Sequence, residues 1–237
     1  MIYVFFMIEK KSLSYWFKQK KLIAWYKKPR KIITKNGNHY NWFPDGKINI
    51  YYNCVTLNIK KGLGKKTALI TIDNQWNEKK ITYNDLANYV ENLTPIIKKN
   101  SKNLRQIMIH GSASLETSVS MLACAKIGVT HSVIFEELHQ DAILKRIHLI
   151  KPQLIITRTK NKKILKFFQI SSKKYNFKLI HLSNNKLLKH LDNFNLDIIS
   201  KKDSNTKILT SSVKSNQNLF NLFTSGSTGD PKGIIHS

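Results

Sequence analysis

From Thr67 onward the sequence alternates short β-branched apolar runs with longer segments whose apolar residues recur at helical spacing. Few topologies accept that order. The strand-like runs are Thr67–Asp73, Arg105–His110, Val129–Phe135, Gln153–Thr157, Phe177–Leu182 and Leu219–Thr224. Between them, Thr82–Leu93 places Leu86, Tyr89, Val90 and Leu93 on one helical face. Thr82 and Asp85 stand in capping-box positions at its start. Ser114–Gly128 reads as a buried helix closed by a glycine. Leu138–Lys151 reads as a helix stopped by Pro152, and Lys163–Tyr175 as helical or irregular. Asp73–Lys80 reads as a polar turn and Asn184–Asn216 as a lysine-rich surface excursion. Strand and helix alternating at this spacing predict parallel βαβ units, an α/β fold with a mostly parallel sheet and flanking helices. In such sheets ligands sit beyond the carboxyl ends of the strands.

The first 66 residues are irregular and aromatic and form a separate N-terminal segment in this reading; residues 67–237 form the α/β domain. The stretch Tyr15–Pro29 suggests a short amphipathic helix ending before Pro29, and Pro44-Asp45-Gly46 a turn. The apolar run Ile2–Ile8 is shorter than the roughly 20 residues that span a bilayer and lacks the flanks of a signal peptide. Cys54 and Cys124 form no C-x-x-C pair, which suits a reducing, cytoplasmic setting without a structural zinc. Histidine spacing shows no metal pattern, and His110 and His131 read as core histidines.

A formal net charge of +26 raises the question of nucleic acid or an anionic membrane. Only Arg30, Arg105, Arg146 and Arg158 are arginine, the residue that forks onto bases and phosphates. The other basic residues are lysines scattered among Asn and Ile, a compositional drift that predicts diffuse charge, with no specific nucleic-acid or membrane partner.

Chemistry concentrates in one loop. Nine glycines serve the whole chain, and Gly226, Gly229 and Gly233 fall within the stretch Thr224-Ser225-Gly226-Ser227-Thr228-Gly229-Asp230-Pro231-Lys232-Gly233. Glycines let backbone N–H groups close on an anion. Hydroxyls add donors, and Lys232 adds a point charge suited to phosphate. The Walker spacing fails because Lys232 stands between Pro231 and Gly233, and G-x-G-x-x-G and G-x-S-x-G are both absent. The loop follows an apolar strand, so it reads as a polyphosphate cradle rather than a linker.

The stretch "FTSGSTGDPKGIIHS" closely resembles the phosphate loop of adenylate-forming enzymes, [YF]-T-S-G-[ST]-T-G-x-P-K-G. "SVSMLACAKIGVTHSVIF" (Ser118–Phe135) is similar to the M-L-A-C-A-R-I-G-A-x-H-S-V-V-F segment of acetyl- and propionyl-CoA synthetases, and "NWFPDGKINIYYNC" to their N-terminal W-F-x-x-G segment. His236 stands in the P-K-G-x-x-H position. The resemblance implies an acetyl-CoA synthetase-like ligase: a carboxylate attacks Mg2+-ATP, an acyl-adenylate and pyrophosphate form, and coenzyme A displaces AMP. It implies Thr224, Ser225, Gly226, Ser227, Thr228 and Gly229 as donors to the ATP phosphates and Lys232 as the catalytic counter-charge. Its substrates would be acetate or another short carboxylate, ATP and coenzyme A, with acetate against propionate left open and oligomeric state unread.

Family members continue well beyond this loop, which implies a fragment without the adenine, ribose and acyl contacts, itself making no acyl-adenylate. An inactive remnant, or a nucleotide-binding module without turnover, is the alternative. Two departures stand out. Where relatives carry a Gly-Gly-Phe turn near coenzyme A, this chain has Glu136-Glu137-Leu138, a pair that repels an anionic coenzyme or favours a helix N-terminus. Where relatives place arginines for the coenzyme's nucleotide phosphate, the candidates here are Arg158, Lys162 and Lys163.

Overall fold

The computed structural model describes residues 10–37, 39–73, 75–100, 103–182, 193–194, 208–224 and 231–237. In chain order the helices are α1 (Lys10–Gln19), α2 (Tyr83–Asn100), α3 (Leu115–Ile127), α4 (Gln140–Ile150) and α5 (Lys162–Tyr175). The early strands are β1 (Ile33–Asn36), β2 (His39–Trp42), β3 (Lys47–Ile48), β4 (Thr67–Ile72) and β5 (Glu78–Thr82). The later ones are β6 (Gln106–His110), β7 (Thr130–Ile134), β8 (Leu154–Thr157), β9 (Lys178–Leu182), β10 (Asn193–Phe194), β11 (Val213–Lys214), β12 (Phe220–Thr224) and β13 (Lys232–His236). The chain divides into two compact units, residues 1–49 with 212–217 and residues 50–211 with 218–237.

Within the smaller unit, β1 and β2 form an antiparallel hairpin and β3 pairs antiparallel with β11. The helix suggested for Tyr15–Pro29 instead ends at Gln19 and gives way to one tight turn, Lys20–Leu22. The chain turns there so that the Trp25 indole N–H reaches the Lys20 carbonyl at 2.8 Å and its ring meets Phe43 edge-on at 5.4 Å. The Pro44-Asp45-Gly46 turn forms as expected. Gly46 N–H donates to the Phe43 carbonyl at 2.8 Å, and the Asp45 carboxylate accepts from the N–H groups of Arg30 and Lys31. A Cβ on Gly46 would stand 2.7 Å from the Trp25 ring, so this turn requires glycine.

The larger unit is built on a seven-stranded sheet in the order β10-β9-β8-β6-β7-β12-β13. Every pairing in it is parallel except β12 with β13. Alternation along the strands sorts side chains to two faces. Ile107, Ile109, Leu154, Ile156 and Ile180 pack with α2 and α3 through Leu86, Val90, Leu93, Ile97, Val119 and Ala123. Met108, Ile134 and Ile155 pack with α4 and α5 through Ile143, Ile147, Ile164 and Phe168. Each such side chain taken fully out of water stabilises the fold by roughly 1.5–3 kcal/mol. Because helices cover both faces, β6 and β8 are apolar almost throughout instead of alternating.

The first strand-like run departs from expectation. β4 turns back onto β5 as an antiparallel hairpin outside the parallel sheet. β5 occupies the end of what reads in sequence as a polar turn, because its lysines lie on the exposed side and only Ile81 is buried. The following helix runs past Leu93 through Pro95 to Asn100. Its start is the expected capping box: Thr82 Oγ1 accepts from Asp85 N–H at 3.1 Å, and Asp85 Oδ2 accepts from Thr82 N–H at 3.0 Å. Two features went unread in sequence. Residues 52–63 carry wide helical turns, Tyr52–Thr56 and Ile59–Leu63. Within the surface excursion lie β10, on the sheet edge, and β11.

Candidate functional site

The order of the sheet makes a crevice. β6 is followed by α3 on one face, while its neighbour β8 is followed by α5 on the other. Adjacent strands whose chains depart to opposite faces leave a gap beyond their carboxyl ends, where ligands of open α/β sheets bind. His110 and Thr157 stand opposite each other at those ends.

A buried polar row lies under the crevice floor. His110 Nδ1 is 2.9 Å from Thr157 Oγ1, which also accepts from Thr159 N–H at 3.2 Å. The Thr159 carbonyl lies 3.0 Å from His181 Nε2. Burial holds His110 at a pKa of about 4, with the Glu137 carboxylate pulling weakly the other way. The core reading of His110 is therefore correct, and so is that of His131, lowered by burial to about 4.

Arg158 rises from this row into the crevice. Its Nη1 donates to Ser112 Oγ at 2.7 Å; its Nε lies 3.8 Å from Glu116 Oε2 and its Nη1 3.8 Å from Glu136 Oε2. Glu116 sits in the first turn of α3, which Ser114 caps by accepting from Thr117 N–H at 3.2 Å. Gly111 is small for a reason: a Cβ there would stand 2.7 Å from Thr117 Oγ1 and 3.4 Å from the Arg158 side chain. Glu136 does not serve a helix N-terminus, since α4 starts only at Gln140, with Asp141 in its first turn. Lys162 and Lys163 lie at the exposed start of α5, where Asn161 Oδ1 accepts from Lys163 N–H at 3.0 Å. Among the described residues no contact joins them to Arg158. Nothing in sequence pointed to Ser112 or Glu116 as its partners, because they lie more than forty positions away.

The glycine-rich loop joins β12 to β13. Of the candidate phosphate donors, Ser225, Gly226, Ser227, Thr228 and Gly229 lie outside the described residues. Thr224 and Lys232 are described, and they face each other as the last cross-strand pair of the hairpin, both exposed. Gly233 pairs with Phe223, and a Cβ there would press on that ring at 3.3 Å, so this glycine makes room for an aromatic neighbour. His236 stacks on Phe220 at 4.7 Å, and Phe220 leans on His131 at 6.0 Å. Two motif histidines thus flank one phenylalanine across β7, β12 and β13.

Among the described residues no group of three or more His, Cys, Asp or Glu could hold a metal, and no helix is long and apolar enough to cross a membrane.

The site thus stands on an α/β fold whose sheet is covered by helices on both faces and is parallel except for β12 with β13. Residues 59–237 match the AMP-binding enzyme family, and the chain belongs to that family. Residues 8–54 match the acetyl-coenzyme A synthetase N-terminus. The chain is 30% identical over 246 residues to an acetyl-coenzyme A synthetase of Leptospira biflexa, covering 96% of this chain and 38% of that protein. It is 33% identical to the Bartonella henselae acetyl-coenzyme A synthetase, over 94% of this chain and 37% of that one. A chloroplastic/glyoxysomal acetyl-coenzyme A synthetase of Arabidopsis thaliana is 33% identical, over 86% of this chain and 30% of its own length. An acetoacetyl-CoA synthetase from Streptomyces lividans shares the fold, with a TM-score of 0.76 at 15% identity, over 96% of this chain and 35% of that one. The chain thus spans between 30% and 38% of the length of these relatives.

Proposed function

We propose that this chain is the N-terminal part of an AMP-forming acetate–CoA ligase, acting on acetate, ATP and coenzyme A. A carboxylate oxygen attacks the α-phosphorus of ATP, the bond to the bridging oxygen breaks, and pyrophosphate departs with its electron pair. The thiol of coenzyme A then attacks the acyl carbon and AMP leaves. The observation that carries the reading is the pairing of Thr224 with Lys232 across the neck of the loop. Paired cross-strand residues lie about 5 Å apart. A hydroxyl-bearing and an ammonium-bearing residue therefore project from the same face at the two ends of the glycine-rich stretch. In this reading Thr224, Ser225, Gly226, Ser227, Thr228 and Gly229 donate to the β- and γ-phosphates, and Lys232 offsets the charge that grows on the departing pyrophosphate. Mg2+ enters with the phosphates of ATP.

The test is calorimetric titration of the chain with ATP, pyrophosphate and AMP. Lys232→Ala is expected to weaken ATP and pyrophosphate by about tenfold or more, as loss of a charged partner does, and to leave AMP unchanged. Equal affinities in the two proteins for all three ligands would end the assignment of Lys232. A nucleotide-binding module without turnover is the second reading, favoured by the two carboxylates that occupy Arg158. Acetate-dependent exchange of labelled pyrophosphate into ATP, measured after joining this chain to the remaining two-thirds of a full-length relative, decides between them: exchange supports the ligase, and ATP binding without exchange supports the module.

A further inference from the structure

The carboxyl end of β12 lies where the sheet stops supporting it. Its register with β7 covers Phe220 and Asn221, and among the described residues Leu222, Phe223 and Thr224 pair with no strand on that side. On the other side stands β13, exposed along its whole length. A two-stranded ribbon without further cover is marginally stable in water. Thr224 with Lys232 is the last pair before the glycine-rich stretch, so fraying of the ribbon's end separates these two residues first.

Of the three unsupported residues, Leu222 and Thr224 are exposed and Phe223 is half-buried. Phe223 packs against the cluster that α4 and α5 form with the sheet. The Arg146 guanidinium of α4 lies over its ring, 5.4 Å from the centroid, where a cation is attracted by the ring's negative face. Arg146 is itself fixed along its helix, since Nη1 donates to the Ala142 carbonyl at 2.8 Å. Gly233 borders the same ring, because a Cβ there would stand 3.3 Å from it. Side chains alternate along a strand, so Phe223 points to the face opposite Thr224. Arg146 therefore acts on the Thr224–Lys232 pair from the other face of the sheet, through the ring.

We propose that Arg146 is a positioning residue for the phosphate loop: it clamps Phe223 from α4 and keeps the neck of the β12–β13 hairpin closed, so that Thr224 and Lys232 stay opposed. This rests on the reading of that pair as phosphate partners given above. A ligand that needs the closed neck binds with an affinity scaled by the fraction of molecules in which the neck is closed. Releasing Phe223 lowers that fraction without removing a phosphate partner.

Calorimetric titration of the chain with pyrophosphate, read beside hydrogen exchange, tests it. Arg146→Met keeps the aliphatic stem and removes the charge. It is expected to weaken pyrophosphate by about fivefold, as loss of a part-exposed cation–ring contact does. It should also speed exchange in Phe220–Thr224 and Lys232–His236 and leave Gln106–His110 unchanged. Arg146→Lys, which keeps a cation over the ring, is expected to recover most of the affinity. With Phe223→Leu in place, Arg146→Met is expected to cost less than about twofold more, since the two side chains act as one unit. A through-space effect of the lost charge would persist in that background. Wild-type affinity in Arg146→Met overturns the proposal, as does no recovery with Arg146→Lys or a full further loss in the Phe223→Leu background. Equal acceleration of exchange in Gln106–His110 overturns it too, since Arg146 would then hold the whole fold. A wild-type chain that binds no pyrophosphate ends the phosphate reading of Thr224 and Lys232, and this inference with it. Pyrophosphate binding that Arg146→Met leaves intact removes this inference alone.

Discussion

His131 shows how a single residue couples the core to pH. It is buried with its ring beside Phe220, and neither ring nitrogen has a hydrogen-bond partner among the described residues. His110 is also buried, with one nitrogen on Thr157. Burial holds both at about 4, below the unfolded value of 6.5. The unfolded chain therefore binds protons that the folded chain refuses between those two values. Stability should be flat above about pH 6.5 and fall as pH drops toward 4. Each histidine accounts for a few kcal/mol, at about 1.36 kcal/mol per unit. Urea melts at pH 7, 5.5 and 4.5 measure this. His131→Phe, which keeps an aromatic ring and removes the titrating group, should lessen the slope; an identical slope would mean that other groups set the acid limit.

At the scale of elements, a buried ion pair ties α2 to α3. Lys126, with its side chain 3% exposed, places Nζ 2.6 Å from Glu91 Oε1. The Tyr51 hydroxyl donates to the same oxygen at 3.1 Å, and the ammonium lies over the Tyr51 ring at 4.8 Å. Burial, then the Glu91 charge, pushes the Tyr51 hydroxyl well above its ordinary pKa. Removing one partner of a pair whose other member is buried costs about 3–5 kcal/mol. Glu91→Ala should therefore lower stability by about 3 kcal/mol, while Lys126→Met with Glu91→Met should recover most of it. Chemical denaturation of the three variants checks this; a double variant as unstable as the single one would mean that packing, not charge, holds this corner.

Across the whole molecule the sheet is uneven. β6 and β8 are clamped between helices on both faces, whereas β12 joins β7 only through Phe220 and Asn221, and every residue of β13 is exposed. Amides that open only with global unfolding belong where burial is densest. Hydrogen exchange should therefore be slowest in Gln106–His110, Thr130–Ile134 and Leu154–Thr157, and orders of magnitude faster in Phe220–Thr224 and Lys232–His236. Equal protection of the hairpin and the central strands would contradict this reading.

Much of this was legible in the residues alone, and the reason is range. The Thr82–Asp85 capping box, the helix closed by Gly128 and the Pro44–Gly46 turn all satisfy their groups within a few positions, so local spacing reveals them. Runs with two buried faces announce parallel strands for the same reason, since burial leaves its record in composition. The proposed phosphate loop after Thr224 likewise rests on glycines and hydroxyls that stand within ten residues. Tertiary structure alone decided what depends on distant partners. It turned β4 back onto β5, since the hairpin buries Ile81 and leaves the lysines in water. It set Lys126 on Glu91, 35 positions away, and put Ser112, Glu116 and Glu136 around Arg158. Charge acts through space, and chain order does not encode which carboxylate a folded guanidinium will meet.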